Sequence, residues 1–507
     1  MKRKISVVAA LALCLLLVML LPENVYASQV YSGTCGENLT WTLDESGTLT
    51  ISGTGPMEDY QTAFATPWYI PEERDFQHVV KVVIQEGVTS VGQYAFAYVE
   101  TVEQVVLPSS ITTIGAYAFQ ECNALEEIVI PESVTEIQRS TFSYCKSLRS
   151  VKLPDRLTVI GPLVFLGCGA LEEIQIPQTV TNIGMSAFNS CTALTRVEIP
   201  GSVKQLGNRV FQNCTALTEV VFHEGLEEMG IGVLSDCPNL KTVTLPKSLT
   251  TVSEATFENC TGLTGVTILG RLTAIGNDAF NGCTALEKVD LAGGMETIGS
   301  RAFYECAKLE TLNWGNRLTS LGEEAFYGCK SLTGIAIPDG VTVIPEGAFA
   351  ECTGVQRISI AGTVTAINAF AFSGCASVNA IAFPQSVTHI GQQAFSDCGM
   401  LMEVWIPSTM NYIAYDAFDG CDSLRDVYYG GTQAMWDALM EQGNCVRGNK
   451  VNVYTNSIVT GMYGLDKLVI LLGALGSIAV PLVLIAAVIF FIAWIARQIR
   501  KRHERIL

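Results

Sequence analysis

The sequence predicts a repeat solenoid, mainly β, wound from 23-residue coils, with a small cap at each end and one transmembrane helix behind it. Three observations carry this. Fourteen cysteines recur at one interval of 23 residues: Cys122, Cys145, Cys168, Cys191, Cys214, Cys237, Cys260, Cys283, Cys306, Cys329, Cys352, Cys375, Cys398 and Cys421. A strand-like pattern, Leu-x-x-Ile-x-Ile-Pro, follows the cysteines. Residues 468–496 form a run of 29 without a charge, long enough to cross a bilayer with some tilt.

Residues 1–27 read as a secretory signal peptide. Lys2, Arg3 and Lys4 precede an apolar run from Ile5 to Leu21, and Val25-Tyr26-Ala27 offers a small-residue cleavage site. Residues 28–78 read as an N-terminal β cap. Leu39, Trp41 and Leu43 alternate, Asp44-Glu45-Ser46-Gly47 turns, and Leu49 and Ile51 alternate again. This predicts a hairpin that covers the open edge of the first coil.

The array occupies 79–429. Counted from each cysteine, leucine lies three residues on (Leu125, Leu148), aliphatics six and eight on (Ile128, Ile130), and proline often nine on (Pro131, Pro154). Phenylalanine precedes the next cysteine by three, as Phe119, Phe142 and Phe165, and only Leu234 interrupts that column. No unit gains or loses a residue, so the coils stack in register. Proline has no amide donor for a ladder and ends each strand. Gly115, Gly184 and Gly276 are expected at a tight bend with positive φ, although Gln138 and Pro345 share that position. A lone coil buries too little to offset the ordering of its backbone, and stacking supplies the rest.

The repeat resembles the BspA-like class of bacterial leucine-rich repeats: Cys-x-x-Leu-x-x-Ile-x-Ile-Pro-x-x-Val-Thr-x-Ile-Gly-x-x-Ala-Phe-x-x. The unit from Cys191 shows it, departing at Lys204, Leu206 and Val210. The resemblance covers about residues 79–429. It implies a right-handed coil with a parallel sheet on the concave face, and a cell-surface protein that binds other macromolecules. The coil from Cys214 departs most, with His223, Met229 and Leu234, and a softer coil is expected there.

The cysteines admit four readings. Disulfides are permitted outside the cell, but equivalent Cβ vectors on stacked strands run parallel, whereas a bridge needs them to converge. Zinc sites carry a close ligand pair such as Cys-x-x-Cys, and none occurs. A nucleophile needs a base, and the outer segment has only His78, His223 and His389 in unrelated phases. The favoured reading is a structural column of small, buried apolar residues. Cys35 and Cys445 flank the array roughly 70 Å apart, at about 4.8 Å per strand, and are not expected to pair.

Residues 430–466 read as a C-terminal cap and tether, with a short capped helix from Thr432 to Leu439 and a last strand around Val451–Tyr454. A membrane helix at 467–496 and a tail at 497–507 follow. Arg497, Arg500, Lys501, Arg502 and Arg505 place that tail in the cytoplasm and the array outside the cell.

Residues 28–467 hold 23 Lys and Arg against 47 Asp and Glu, a net charge of −24, which disfavours nucleic acid as a partner. No catalytic grouping, phosphate loop or metal signature appears, so neither an enzyme nor a cofactor is expected. The outward column seven residues after the cysteine starts with Val83, Val106 and Val129, turns polar at Lys152, Gln175 and Glu198, and ends with Trp405 and Tyr428. Met402, Trp405 and Tyr428, with Glu403 and Asp426 beside them, are the candidate ligand-binding residues. They would take an extracellular or host protein or glycan, in adhesion or another cell-surface interaction, meeting Arg or Lys with their carboxylates. The competing reading makes Trp405 and Tyr428 the apolar seat of the cap helix, which moves binding to the valines or the convex side. A structural spacer or envelope element without a dedicated ligand is the alternative function. Trp314, in the inward column, is expected in the core.

Overall fold

The computed structural model describes residues 31–69, 79–291, 294–442 and 451–457. The expected signal peptide, the expected membrane helix 467–496, the tail, His78 and Cys445 lie outside the described residues. Among the described residues no helix is long and apolar enough to cross a membrane.

About 16 turns of roughly 23 residues stack into a mainly β solenoid with parallel sheets. Each strand of the first parallel ladder uses the alternation read from the sequence. In Arg196–Ile199, Val197 and Ile199 are buried and Arg196 and Glu198 exposed. Its neighbour pairs in parallel with every residue offset by one repeat, Arg196 with Glu219 and Val197 with Val220. Six strands join in this way from Arg196 to Asn313.

A second parallel ladder runs through two-residue strands such as Thr251–Val252, Ala274–Ile275 and Thr297–Ile298. Two residues are too few to show a period, so the isoleucine that recurs before glycine does not by itself read as a strand. The third wall is a stack of turns. There Phe257 N–H donates to Ala279 O and Phe280 N–H to Ala302 O, each at 2.8 Å. Its phenylalanine rings stack coil on coil, for example Phe280 on Phe303 at 5.1 Å.

The glycine expectation is corrected. Gly115, Gly184 and Gly276 do not take positive φ. The left-handed residues sit five and one before the cysteine, as Ala255 and Asn259 before Cys260. β-Branched residues, which resist that conformation, are absent from both columns. The three glycines serve close approach instead. A Cβ on them would lie 2.6, 2.5 and 2.5 Å from the backbone nitrogens of Gln93, Pro162 and Glu254 in the preceding coil.

At the N-terminal end the predicted hairpin gains a strand. Tyr31–Gly36, Leu39–Leu43 and Thr48–Gly53 form an antiparallel meander, and the third strand pairs in parallel with Lys81–Ile84 of the first coil. Asp44 builds the turn, accepting from Ser46 N–H and Thr48 N–H at 2.9 and 3.0 Å. Trp68 starts the ring stack on Phe96, at 5.2 Å and 12°, and donates its indole N–H to Ala95 O.

The ladders are interrupted at several coils, both of them between the coils that hold Val106 and Val129. In the coil from Cys214 the second ladder stops at Met229 and resumes at Thr251, while the first-ladder strand Glu219–Phe222 stays paired. Between the coils from Cys306 and Cys329 both ladders are interrupted. Buried Trp314 stands at this joint and donates its indole N–H to Ala336 O at 3.0 Å. Pro345 also lacks the N–H with which Gly322 and Asn368, at the same position, bind the preceding coil. The turn wall crosses unbroken, with Phe326 N–H on Ala348 O at 2.8 Å.

Candidate binding surface

All fourteen cysteines of the column are buried and free of disulfides. Each points its thiol at the backbone carbonyl 26 residues earlier, from Cys122 on Phe96 O at 3.3 Å to Cys421 on Phe395 O at 3.1 Å. The same carbonyl also accepts from its own coil. Phe142 O takes Cys145 N–H at 3.3 Å and Cys168 S–H at 3.1 Å. The thiol therefore fills an apolar site and satisfies a second lone pair that valine would leave bare. Burial pushes the thiols of Cys191, Cys214 and Cys306 well above their ordinary range, the reverse of what a nucleophile requires.

The outward columns of the first ladder change character along the array. Val106 and Val129 are exposed at the N-terminal end. A charged zone follows, in which Arg196 pairs with both Glu198 and Glu219. Small residues come next, and a shallow depression of about 550 Å³ opens over Thr242, Gly265, Thr267, Lys288 and Asp290. The aromatic zone closes the row.

That last zone brings the predicted residues together. Glu403 and Trp405 stand on the strand Glu403–Ile406, with Asp426 and Tyr428 opposite them on Asp426–Tyr429. Trp405 and Tyr428 stack at 4.8 Å and 11°. Both are half-buried, as are Met402, Glu403 and Asp426. Arg425 Nη2 donates to the Met402 sulfur at 2.9 Å. Burial, and then the carboxylates of Glu403 and Asp426, raise the Tyr428 phenol.

The cap helix, Gln433–Gln442, seats Trp436 on buried Tyr429, on the inward side of the strand Asp426–Tyr429. Trp405 and Tyr428 face the opposite way, onto the outer face of the sheet. One rung was missed. Tyr454, on the final strand Asn452–Tyr454, stacks on Tyr428 at 5.0 Å and is 45% exposed, and Asn452 Nδ2 donates to Asp426 Oδ1 at 2.9 Å. Tyr454 follows Tyr428 by 26 residues, so the 23-residue period conceals it.

The family of BspA type leucine rich repeat regions matches in overlapping stretches at 75–194, 148–264, 182–310, 250–353 and 319–434. The chain belongs to this family. A leucine-rich repeat protein from Bacteroides ovatus is 24% identical, with 83% of this chain and 98% of that one covered and a TM-score of 0.62, which shows the shared fold. A leucine rich cell surface protein from Faecalibacterium prausnitzii is 21% identical over 82% of this chain and 97% of its own, at a TM-score of 0.34. No curated protein matches.

Proposed function

We propose that this BspA-type chain is a membrane-anchored cell-surface protein that binds an extracellular protein through the concave aromatic zone. The signal peptide at 1–27, the apolar run at 467–496 and the cationic tail support the anchoring, with the array outside and the C-terminus inside. The observation that carries the binding is the stack of Trp405, Tyr428 and Tyr454, left half-open on a sheet face and flanked by Glu403 and Asp426. Large aromatic residues beside polar groups are what binding hot spots are made of.

Two measurements test this. Protease added to intact cells should digest the array and spare a tag placed after Leu507, and loss of the tag without lysis refutes the orientation. Cells displaying the full chain should bind immobilised matrix or cell-surface proteins saturably, and Trp405→Ala should weaken this about thirtyfold. Binding without saturation, or none, makes the array a spacer.

A further inference from the structure

The cysteine column behaves differently in the folded and the unfolded chain. Folded, all fourteen cysteines are 0% exposed. Each sulfur lies 3.1–3.4 Å from a carbonyl of the preceding coil, as Cys145 on Phe119 O at 3.1 Å and Cys375 on Phe349 O at 3.4 Å. A disulfide would draw two sulfurs to about 2 Å and turn their parallel Cβ vectors toward each other. It would pull both thiols off their carbonyls. The wall also shuts out the oxidant, and burial keeps the sulfurs protonated, so they exchange poorly.

Unfolded, the same thiols stand in water at intervals of 23 residues. They regain ordinary acidity, and neighbours close a short loop at modest entropic cost. Fourteen equivalent thiols allow many pairings, and the folded array uses none of them. A bridged coil cannot seat its thiol on the coil before it. Coils are stable only on their neighbours, so one bridge stops the stack. Packing alone does not demand a thiol here. Val99 holds the same position in the first coil and is equally buried.

We propose that the column is a redox checkpoint on assembly: a two-electron oxidant of the disulfide or azo class traps the unfolded chain and spares the folded one. In the trapping step two thiols each give up a proton and an electron, and one S–S bond forms. The oxidant takes up both protons and both electrons, a disulfide leaving as two thiols and diamide as its hydrazine. The array therefore assembles where such oxidants are scarce and, assembled, withstands them. Export, as proposed above, delivers the chain unfolded, so stacking has to outrun oxidation at the cell surface. The checkpoint itself does not depend on that reading.

The test uses the full-length chain in detergent, prepared with reductant and then freed of it. Diamide should consume the thiols of the native chain at least about a hundredfold more slowly than those of the chain in urea, and should leave its melting temperature unchanged. Chain oxidised in urea and then diluted should regain no native signal, and dithiothreitol should restore it. Peptide mapping of the trapped chain should find bridges within the column, such as Cys260 to Cys283. Equal rates of thiol loss, native refolding of the oxidised chain, or bridges confined to Cys35 and Cys445 overturn the proposal. A second measurement is independent of refolding in detergent. In cells, diamide added during synthesis should give chain with column disulfides, and diamide added after synthesis has stopped should give chain with free thiols. The same result in both orders also overturns it.

Discussion

The turn wall and the first parallel sheet share one 23-residue metric and obey different rules. In the wall each group is used twice. Phe142 stacks on Phe119 and Phe165, and its carbonyl accepts from two cysteines. Any change there is felt by the coils on both sides. The outward sheet columns touch solvent, so they can run from valine through charge to tryptophan without disturbing the stack. The ladders can even part at Trp314 while the wall carries on. Repetition is strict where a side chain has a neighbour above and below, and relaxed where it faces water.

The strongest way to break this comparison is alkaline pH. Burial holds the thiols of Cys191, Cys214, Cys260 and Cys306 well above their ordinary range. An acid whose folded pKa is raised loses its proton first in the unfolded chain. Stability is therefore intact below about pH 8.5 and falls above it, by about 1.4 kcal/mol per pH unit for each such thiol. Urea midpoints followed from about pH 7 to about pH 10 should collapse above about 8.5. A variant with these four cysteines changed to alanine should start weaker and fall less steeply. A midpoint that holds to about pH 10 would contradict the buried column.

Next in size is the contrast between wall and sheet. Phe303 is buried between Phe280 and Phe326, each ring 5.1 Å away, and Phe303→Ala should cost about 3–5 kcal/mol. Asn313→Ala, on the outward sheet column, should stay within about 0.5 kcal/mol. Similar losses in urea unfolding would erase the distinction.

The smallest effect sharpens it. Leu234 lies between Phe211 and Phe257, whose rings belong to two separate stacks. Leu234→Phe should rejoin them and gain about 0.5–1.5 kcal/mol, read as a higher melting temperature. A lower one would show that this coil has closed around the leucine.

Much of this was legible in the residues themselves. The alternation of Val197 and Ile199 with Arg196 and Glu198 placed the strands of the first ladder and their faces, and Trp314 fell in the core as its column predicts. The second ladder was not legible, because strands as short as Ala274–Ile275 carry no pattern. The left-handed turn positions were legible and passed over. The column before each cysteine is rich in Gly, Asn, Asp and Ser, as at Gly167, Ser190, Asn213 and Asp236, and empty of Val, Ile and Thr. The glycine after isoleucine misled because glycine answers two needs, a left-handed φ and a close approach, and one sequence does not separate them.

The sequence by itself determined the period, the inward columns and the family, because in a solenoid each coil meets only its neighbours at a constant offset. Contact there is arithmetic on residue numbers: 23 from ring to ring, 26 from thiol to carbonyl. The ends of the array answer to no such rule. Only the tertiary structure decided that the cap helix settles on Tyr429, that Trp68 opens the ring stack, and that Tyr454 joins Trp405 and Tyr428. Those contacts depend on how an irregular segment comes to rest against the last regular coil, and packing of that kind has no period to read.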